Sequence, residues 1–274
     1  MIPVTTILCC AISLVVCLVL PVLLLIVFAA KHKKQGIVSA WLLGAAGFFV
    51  TQILIRLPIL TALQSQSWFL SFSQNHLFGY AFSLAFTAGL FELAGRFAVA
   101  KLMRKNLTYN RALSAGLGHG GIEAMLLIGM TYVNNLIYIF MINSGSFDAI
   151  IAQTAAIPEA AAQLELIRQQ LLTASPALFL LGGFERVLAM TAHLAMSMLV
   201  CYGVAHRKVL PCTLVCLAIH TFIDLTAGLS LVLPQSLSYP IIYAILIAVA
   251  VLSVFVIREL RRRWNKEVNH DSEE

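Results

Sequence analysis

Charge is what this sequence has least of. Asp, Glu, Lys and Arg make up 11% of its 274 residues, against 60% hydrophobic, whereas soluble domains carry about 25% charged residues. That shortage excludes an ordinary water-exposed globule. Cysteines are few and all six (Cys9, Cys10, Cys17, Cys201, Cys212 and Cys216) lie in apolar runs, which excludes a disulfide framework of the kind that staples small secreted domains. Cys212 and Cys216 share a helix face that could hold a metal, but small apolar side chains in a membrane helix account for them better. The N-terminus lacks a basic segment, and its apolar run from about Ile2 to Ala30 is too long for the core of a cleavable signal. It is expected to be a retained first span. No internal repeat is visible, which counts against a transporter built from inverted halves. Beyond the short charged end there is no low-complexity segment.

Apolar runs of roughly 20 residues or more recur along the chain, which is the signature of transmembrane helices. They predict an all-α, polytopic transmembrane helix bundle with about seven spans, at 3–30, 37–60, 77–101, 112–142, 176–205, 209–233 and 237–257. Residues 1–257 are expected to form a single transmembrane domain and 258–274 a charged cytoplasmic tail. Between the fourth and fifth spans, PEAAAQLELIRQQLL (158–172) has apolar residues at helical spacing and a proline suited to a first turn. It is expected to be an interfacial helix on the outer surface.

The connections alternate in charge. KHKK (31–34), KLMRKNLTYNR (101–111), AHRK (205–208) and the tail beginning RELRRRW (258–264) are basic. The alternate segments, 64–75, 143–175 and 234–240, are almost free of Lys and Arg. Positive residues favour the cytoplasmic side, so the N-terminus is expected outside and the C-terminus inside. The net charge of +6 follows from that asymmetry and requires no nucleic acid as partner.

Against this background the ionisable residues inside spans stand out, because each costs at least about 2.5 kcal/mol near the bilayer centre. FELAGR sets Glu92 and Arg96 one helical turn apart; GHGGIE does the same for His119 and Glu123, and HTFID for His220 and Asp224. In ERVLAMTAH, Arg186 and His193 are seven apart, beside Glu185. Positions four or seven apart share a helix face, so four consecutive spans each present a polar pair to one side. At about 1.5 Å per residue, Glu92, His119, His193 and His220 come out roughly 12–18 Å from the cytoplasmic edge. Glu185 and Asp224 come out deeper. The agreement in depth predicts one converged site. Gly116 and Gly120 form a small-xxx-small face that lets another helix approach. Arg186 is expected to neutralise Glu185 or Glu123, and Arg56, near the end of its span, to snorkel outward.

Two chemistries fit three histidines and a carboxylate. In one, His119, His193 and His220 bind a divalent metal, most naturally Zn²⁺, with an open position for water, and Glu92 or Glu123 is the general base. In the other no metal is needed: Glu92 activates water, while Arg96 and the histidines orient it and stabilise an oxyanion. The HExxH signature of zincins is absent. Both chemistries predict amide hydrolysis by Glu92, Arg96, His119, Glu123, His193 and His220, with Glu185, Arg186 and Asp224 in support. A proton-coupled transporter and a non-catalytic scaffold or immunity protein are the alternatives.

At these residues the chain resembles the YhfC family, described as intramembrane metalloproteases and distantly related to the superfamily of CAAX prenyl proteases and bacteriocin-processing enzymes (CPBP). That superfamily carries an EExxxR motif, then FxxxH, then HxxxN or HxxxD. Here FELAGR supplies Glu92 and Arg96 with a single glutamate where the superfamily has a pair, GHGGIE supplies His119, and HTFID supplies His220 and Asp224. His193 would be an additional helix-borne histidine. The resemblance covers roughly residues 80 to 230. It implies proteolysis in or near the membrane by a bundle opening toward the cytoplasm, with membrane lipid and a membrane-associated protein or peptide substrate as partners. It also implies a multi-pass place in a cell membrane, bacterial in type.

Overall fold

Seven helices in the computed structural model are long and apolar enough to cross a membrane: Val4–Lys31, Ile37–Gln64, Leu77–Leu102, Tyr109–Ser144, Pro176–Ala205, Val209–Val232 and Gln235–Trp264. They are called the first to seventh spans below. The structure describes residues 1–154 and 156–270, with the backbone alone for 265–270. No strand occurs among the described residues. The chain is a multi-pass, all-helical membrane protein, as its apolar runs require: in hydrocarbon every backbone N–H and C=O must be satisfied within the segment.

Span boundaries differ from the expected ones by a few residues, except at the end. The last helix continues from Gln235 to His270, through residues expected to form a tail. Arg262 and Arg263 both reach Glu259, at 2.9 and 2.8 Å, and such pairs three and four residues apart favour helix in water. The remainder of the expected tail, 271–274, lies outside the described residues. The segment 64–75, read as a loop, contains a helix at Ser67–Asn75. Its Phe69 is buried and packs edge-on against Tyr80 with ring centroids 5.7 Å apart, so an apolar face hidden among serines and glutamines gives it a reason to fold. The segment expected at the interface is a helix, Pro158–Thr173.

By compactness the chain divides into two units, Met1–Val22 with Ala124–Val187 and Leu23–Glu123 with Leu188–Glu274. Within the first, Ser13 donates to the Phe179 carbonyl at 2.6 Å, and the Ile2 N–H to Asn143 Oδ1 at 2.6 Å. Arg168 of the Pro158–Thr173 helix bridges Asp148 and Glu165 at 2.6 and 2.8 Å. Glu185 and Arg186 form an ion pair in this unit.

The second unit is built on close helix approach. A Cβ on Gly44 would meet the backbone of Ala115, and one on Gly118 the backbone of Trp41, so the second and fourth spans touch main chain to main chain. Ser114 seals the start of this contact by donating to the Ile37 carbonyl at 2.7 Å. Gly47 and Gly95 play the same part between the second and third spans, where a Cβ on Gly95 would stand 2.7 Å from the Gly47 carbonyl oxygen. Small residues let backbones converge without a hydrophobic driving force between them. The second span also widens into π-helical geometry over Phe49–Arg56, and such turns often re-aim side chains at functional sites. All six cysteines are free thiols.

Candidate active site

In the second unit, Arg96, His119 and His220 gather around one carboxylate, Glu92. Glu92 Oε2 receives Arg96 Nη2 at 2.9 Å, His119 Nε2 at 3.0 Å and His220 Nε2 at 2.8 Å. Glu92 Oε1 receives the Gln52 side-chain amide at 2.9 Å. Glu92, Arg96, His119 and His220 are each at most 4% exposed. A carboxylate only accepts, so in this arrangement both histidines carry a proton on Nε2. Four spans thus meet at one side chain, which is how a charge is kept in a membrane interior: paired and hydrogen-bonded on every side.

His193 closes the cluster from the fifth span. Its Nδ1 lies 2.6 Å from Arg96 Nη2 and 3.5 Å from Glu92 Oε2. Arg96 can only donate, so Nδ1 accepts and the ring proton sits on Nε2, 2.9 Å from Glu123 Oε2. The His119 and His193 rings stack with centroids 5.7 Å apart, and the His193 and His220 rings meet edge-on at 5.6 Å. His220 Nδ1 lies 3.4 Å from Asp224 Oδ2, whose side chain is 35% exposed. Gly116 and Gly120 make room for this arrangement. A Cβ on Gly120 would stand 3.0 Å from His193 Cβ, and one on Gly116 would stand 3.1 Å from both Leu194 Cα and Ser197 Cβ. The small-xxx-small face of the fourth span therefore meets the fifth.

Of the residues singled out in the sequence, Glu92, Arg96, His119, Glu123, His193, His220 and Asp224 come together here. Glu185 and Arg186 pair with each other in the first unit. Two residues join that were not singled out as part of the site. Gln52 is held by the π-helical stretch of the second span. Arg56, expected to snorkel, instead turns to the third span, donating to the Leu84 carbonyl at 2.7 Å and to Gln52 Oε1 at 3.3 Å. A backbone carbonyl and the Gln52 amide satisfy it within the protein, so it has no need of the membrane surface.

Glu92, His119 and His193 each offer a ligand atom, and these atoms all lie within 4.8 Å of one another. Around a tetrahedral zinc with bonds near 2.05 Å, ligand atoms stand about 3.3 Å apart. The Glu92–His119 and Glu92–His193 separations of 3.0 and 3.5 Å bracket that value. The set expected from the sequence was His119, His193 and His220; the compact group has Glu92 in it, with His220 reaching Glu92 from the sixth span. One carboxylate and two histidines are a donor set that catalytic zinc sites use, and the fit is completed by Glu123 behind His193, since a carboxylate on the far ring nitrogen orients a metal-bound imidazole. Loading an ion requires bare lone pairs on His119 Nε2 and His193 Nδ1, so Arg96 must give up its bond to His193.

The YhfC intramembrane metalloprotease family matches residues 16–247. The chain belongs to the YhfC family. A relative from Bacillus subtilis (strain 168), described as the uncharacterized membrane protein YhfC, is 28% identical over 259 residues, covering 92% of this chain and 95% of that one. No solved structure gives a significant match. The YhfC match embraces every residue of the cluster, from Gln52 to Asp224.

Proposed function

We propose that this YhfC protein is an intramembrane endopeptidase that hydrolyses peptide bonds of membrane-associated substrates at the Glu92 cluster, in the cytoplasmic half of the bundle. The observation that carries the reading is the set Glu92, His119 and His193, buried and within 4.8 Å of one another, with a carboxylate behind His193. Glu92, His119 and His193 would hold a divalent metal, most naturally zinc. Bound there, it would supply a Lewis acid and a water acidified to near neutral pH.

The protein's own groups divide the remaining work. Arg96 Nη1 is buried and without a hydrogen-bond partner, a donor available to the oxyanion that forms when water adds to a carbonyl. His220 Nδ1 stands 3.4 Å from Asp224, a partly exposed carboxylate, and the two would relay protons between the cluster and its surroundings. That relay can take the proton released by the attacking water and return one to the amine that leaves as the C–N bond breaks. A cavity of about 20 Å³, bounded in part by His193, His220 and Asp224, has room for about one water. Either chemistry requires a donor to leave Glu92 first. Glu92 Oε2 already receives three, which leaves it little capacity either to accept a proton from water or to hold an ion.

The closure of the site favours a second reading. Among the described residues, the cavities that touch the cluster are of about 20 and 10 Å³, too small for a peptide, and a buried, closely paired network also suits a scaffold that only locks spans together. Elemental analysis of the purified protein, beside a folded His119→Ala/His193→Ala variant, separates the two. About one zinc per chain in the parent and none in the variant is expected, together with hydrolysis of fluorescein-labelled casein in mixed micelles that a chelator stops. No metal in the folded parent would end the metal reading. Casein hydrolysis by the parent no faster than by Glu92→Ala would end the peptidase reading and leave the scaffold.

A further inference from the structure

Well away from the Glu92 cluster, the second unit has a cavity of about 780 Å³ that the peptidase reading leaves unused. Three of the four basic segments meet there: the first connection through Lys34, the third through Arg111, and the last helix through Arg261. Among the described residues, no acidic side chain lines it. Arg262 and Arg263, next along the chain, are both paired with Glu259, but Arg261 and Lys34 make no ion pair among the described residues. Arg111 is anchored by donating from Nη1 to the Gly36 carbonyl at 3.4 Å, while its buried Nε has no partner. The connection is shaped for this. Lys34 and Gly36 both have left-handed backbone, with φ of 68° and 67°, and a Cβ on Gly36 would collide with the Arg111 guanidinium. On the apolar side, Trp264 stands edge-on to Tyr109 with centroids 6.2 Å apart.

Three cations around one cavity, with no acid lining it among the described residues, call for an anion. A Trp–Tyr wall at the end of membrane spans is the composition of the headgroup layer, and basic pockets between spans take anionic lipid headgroups. The volume lies within the range of sites for small ligands, large enough for a phosphodiester with its glycerol. We propose that this pocket binds the phosphodiester headgroup of an anionic phospholipid, with Lys34, Arg111 and Arg261 as its phosphate ligands. This holds whether or not the Glu92 cluster is a peptidase.

The test is thermal unfolding of the full chain in a neutral detergent, titrated with short-chain phosphatidylglycerol, phosphatidylcholine or inorganic phosphate. Ligand that binds the folded form alone raises the midpoint. Phosphatidylglycerol is expected to raise it and phosphatidylcholine to leave it unchanged. Lys34→Gln/Arg261→Gln should weaken the apparent affinity roughly 25-fold, since each cation near a membrane surface contributes on the order of a fivefold factor. Arg262→Gln/Arg263→Gln removes the same charge just outside the pocket and should keep the response. Equal stabilisation by phosphatidylcholine, or an undiminished response in Lys34→Gln/Arg261→Gln, would overturn the proposal. Inorganic phosphate as effective as the lipid would overturn the lipid assignment and leave a free-phosphate site. If the double variant unfolds, Lys34→Gln alone, at an exposed loop position, carries the same comparison with a fivefold effect.

Discussion

Glu92 is the side chain on which the cluster depends. Replacing it by glutamine keeps the shape but removes the charge that Arg96, His119 and His220 share. Breaking a buried ion pair costs about 3–5 kcal/mol, because the surviving charge stays buried. Glu92→Gln should therefore lower the unfolding midpoint markedly in detergent and abolish zinc binding, measured by thermal unfolding and elemental analysis on the same preparation. Gln52→Leu makes a subtler change. It deletes one donor to the charged Glu92 Oε1, worth about 1.5–3 kcal/mol of stability, and should weaken metal affinity about 10–100-fold, as loss of outer-shell partners does. Competition with a chromophoric chelator would measure it, and unchanged affinity would remove Gln52 from the site. These two residues also mark what the sequence could show. Glu92, Arg96, His119 and His220 are conspicuous because ionisable groups in apolar runs need a reason to be there. Gln52 carries no charge, and its partner one turn on, Arg56, was expected to snorkel outward, so the pair was not read as part of the site. His193 was visible as a candidate ligand, but its use of Nδ1 rather than Nε2 follows from Arg96, which reaches it from 97 positions away.

Helix pairs are set by glycine, and not by the glycines the motif suggested alone. Gly116 and Gly120 were legible as a small-xxx-small face. Gly118, between them, points the other way, onto the Trp41 backbone of the second span, and that contact could not be read because a bulky tryptophan is not a sign of close main-chain approach. Gly118→Ala puts a methyl against main chain that cannot rotate aside. Overpacking typically costs about 1–3 kcal/mol, and this contact belongs at or above the top of that range. Gly145 is the control. It has φ of 78° with nothing within 4 Å of its would-be Cβ, so Gly145→Ala should cost only the left-handed backbone penalty of about 1–2 kcal/mol. Thermal unfolding of both variants in the same detergent should rank Gly118→Ala well below Gly145→Ala; the reverse order would mean the second and fourth spans are not in main-chain contact. The helix at Ser67–Asn75 went unread for a related reason. Its apolar face is only Trp68, Phe69, Leu70 and Phe72, too short for periodicity to separate from a loop.

For the whole molecule, number and charge make one prediction about topology. If all seven candidate spans cross, the two termini are expected on opposite faces and the basic segments all on one. The structure draws three of those segments to a single cavity in the second unit. Lys and Arg near span ends are retained on the cytoplasmic side, so the C-terminus should be inside. A green fluorescent protein fused after Glu274 should fluoresce in cells, and alkaline phosphatase at the same point should be inactive. Both reporters fused in the nearly Lys- and Arg-free segment 234–240, after truncation there, should behave the opposite way. The outcome bears on both proposals at once. With the C-terminus inside, the Lys34–Arg111–Arg261 pocket faces the leaflet whose surface is richest in anionic lipid, and His119, ten residues beyond Tyr109 at the start of its span, lies roughly 15 Å below that surface at the helical rise. A dark fluorescent fusion with an active phosphatase would invert the bundle. The Glu92 cluster would then open toward the outer leaflet, and a cytoplasmic substrate could not be the one it cuts.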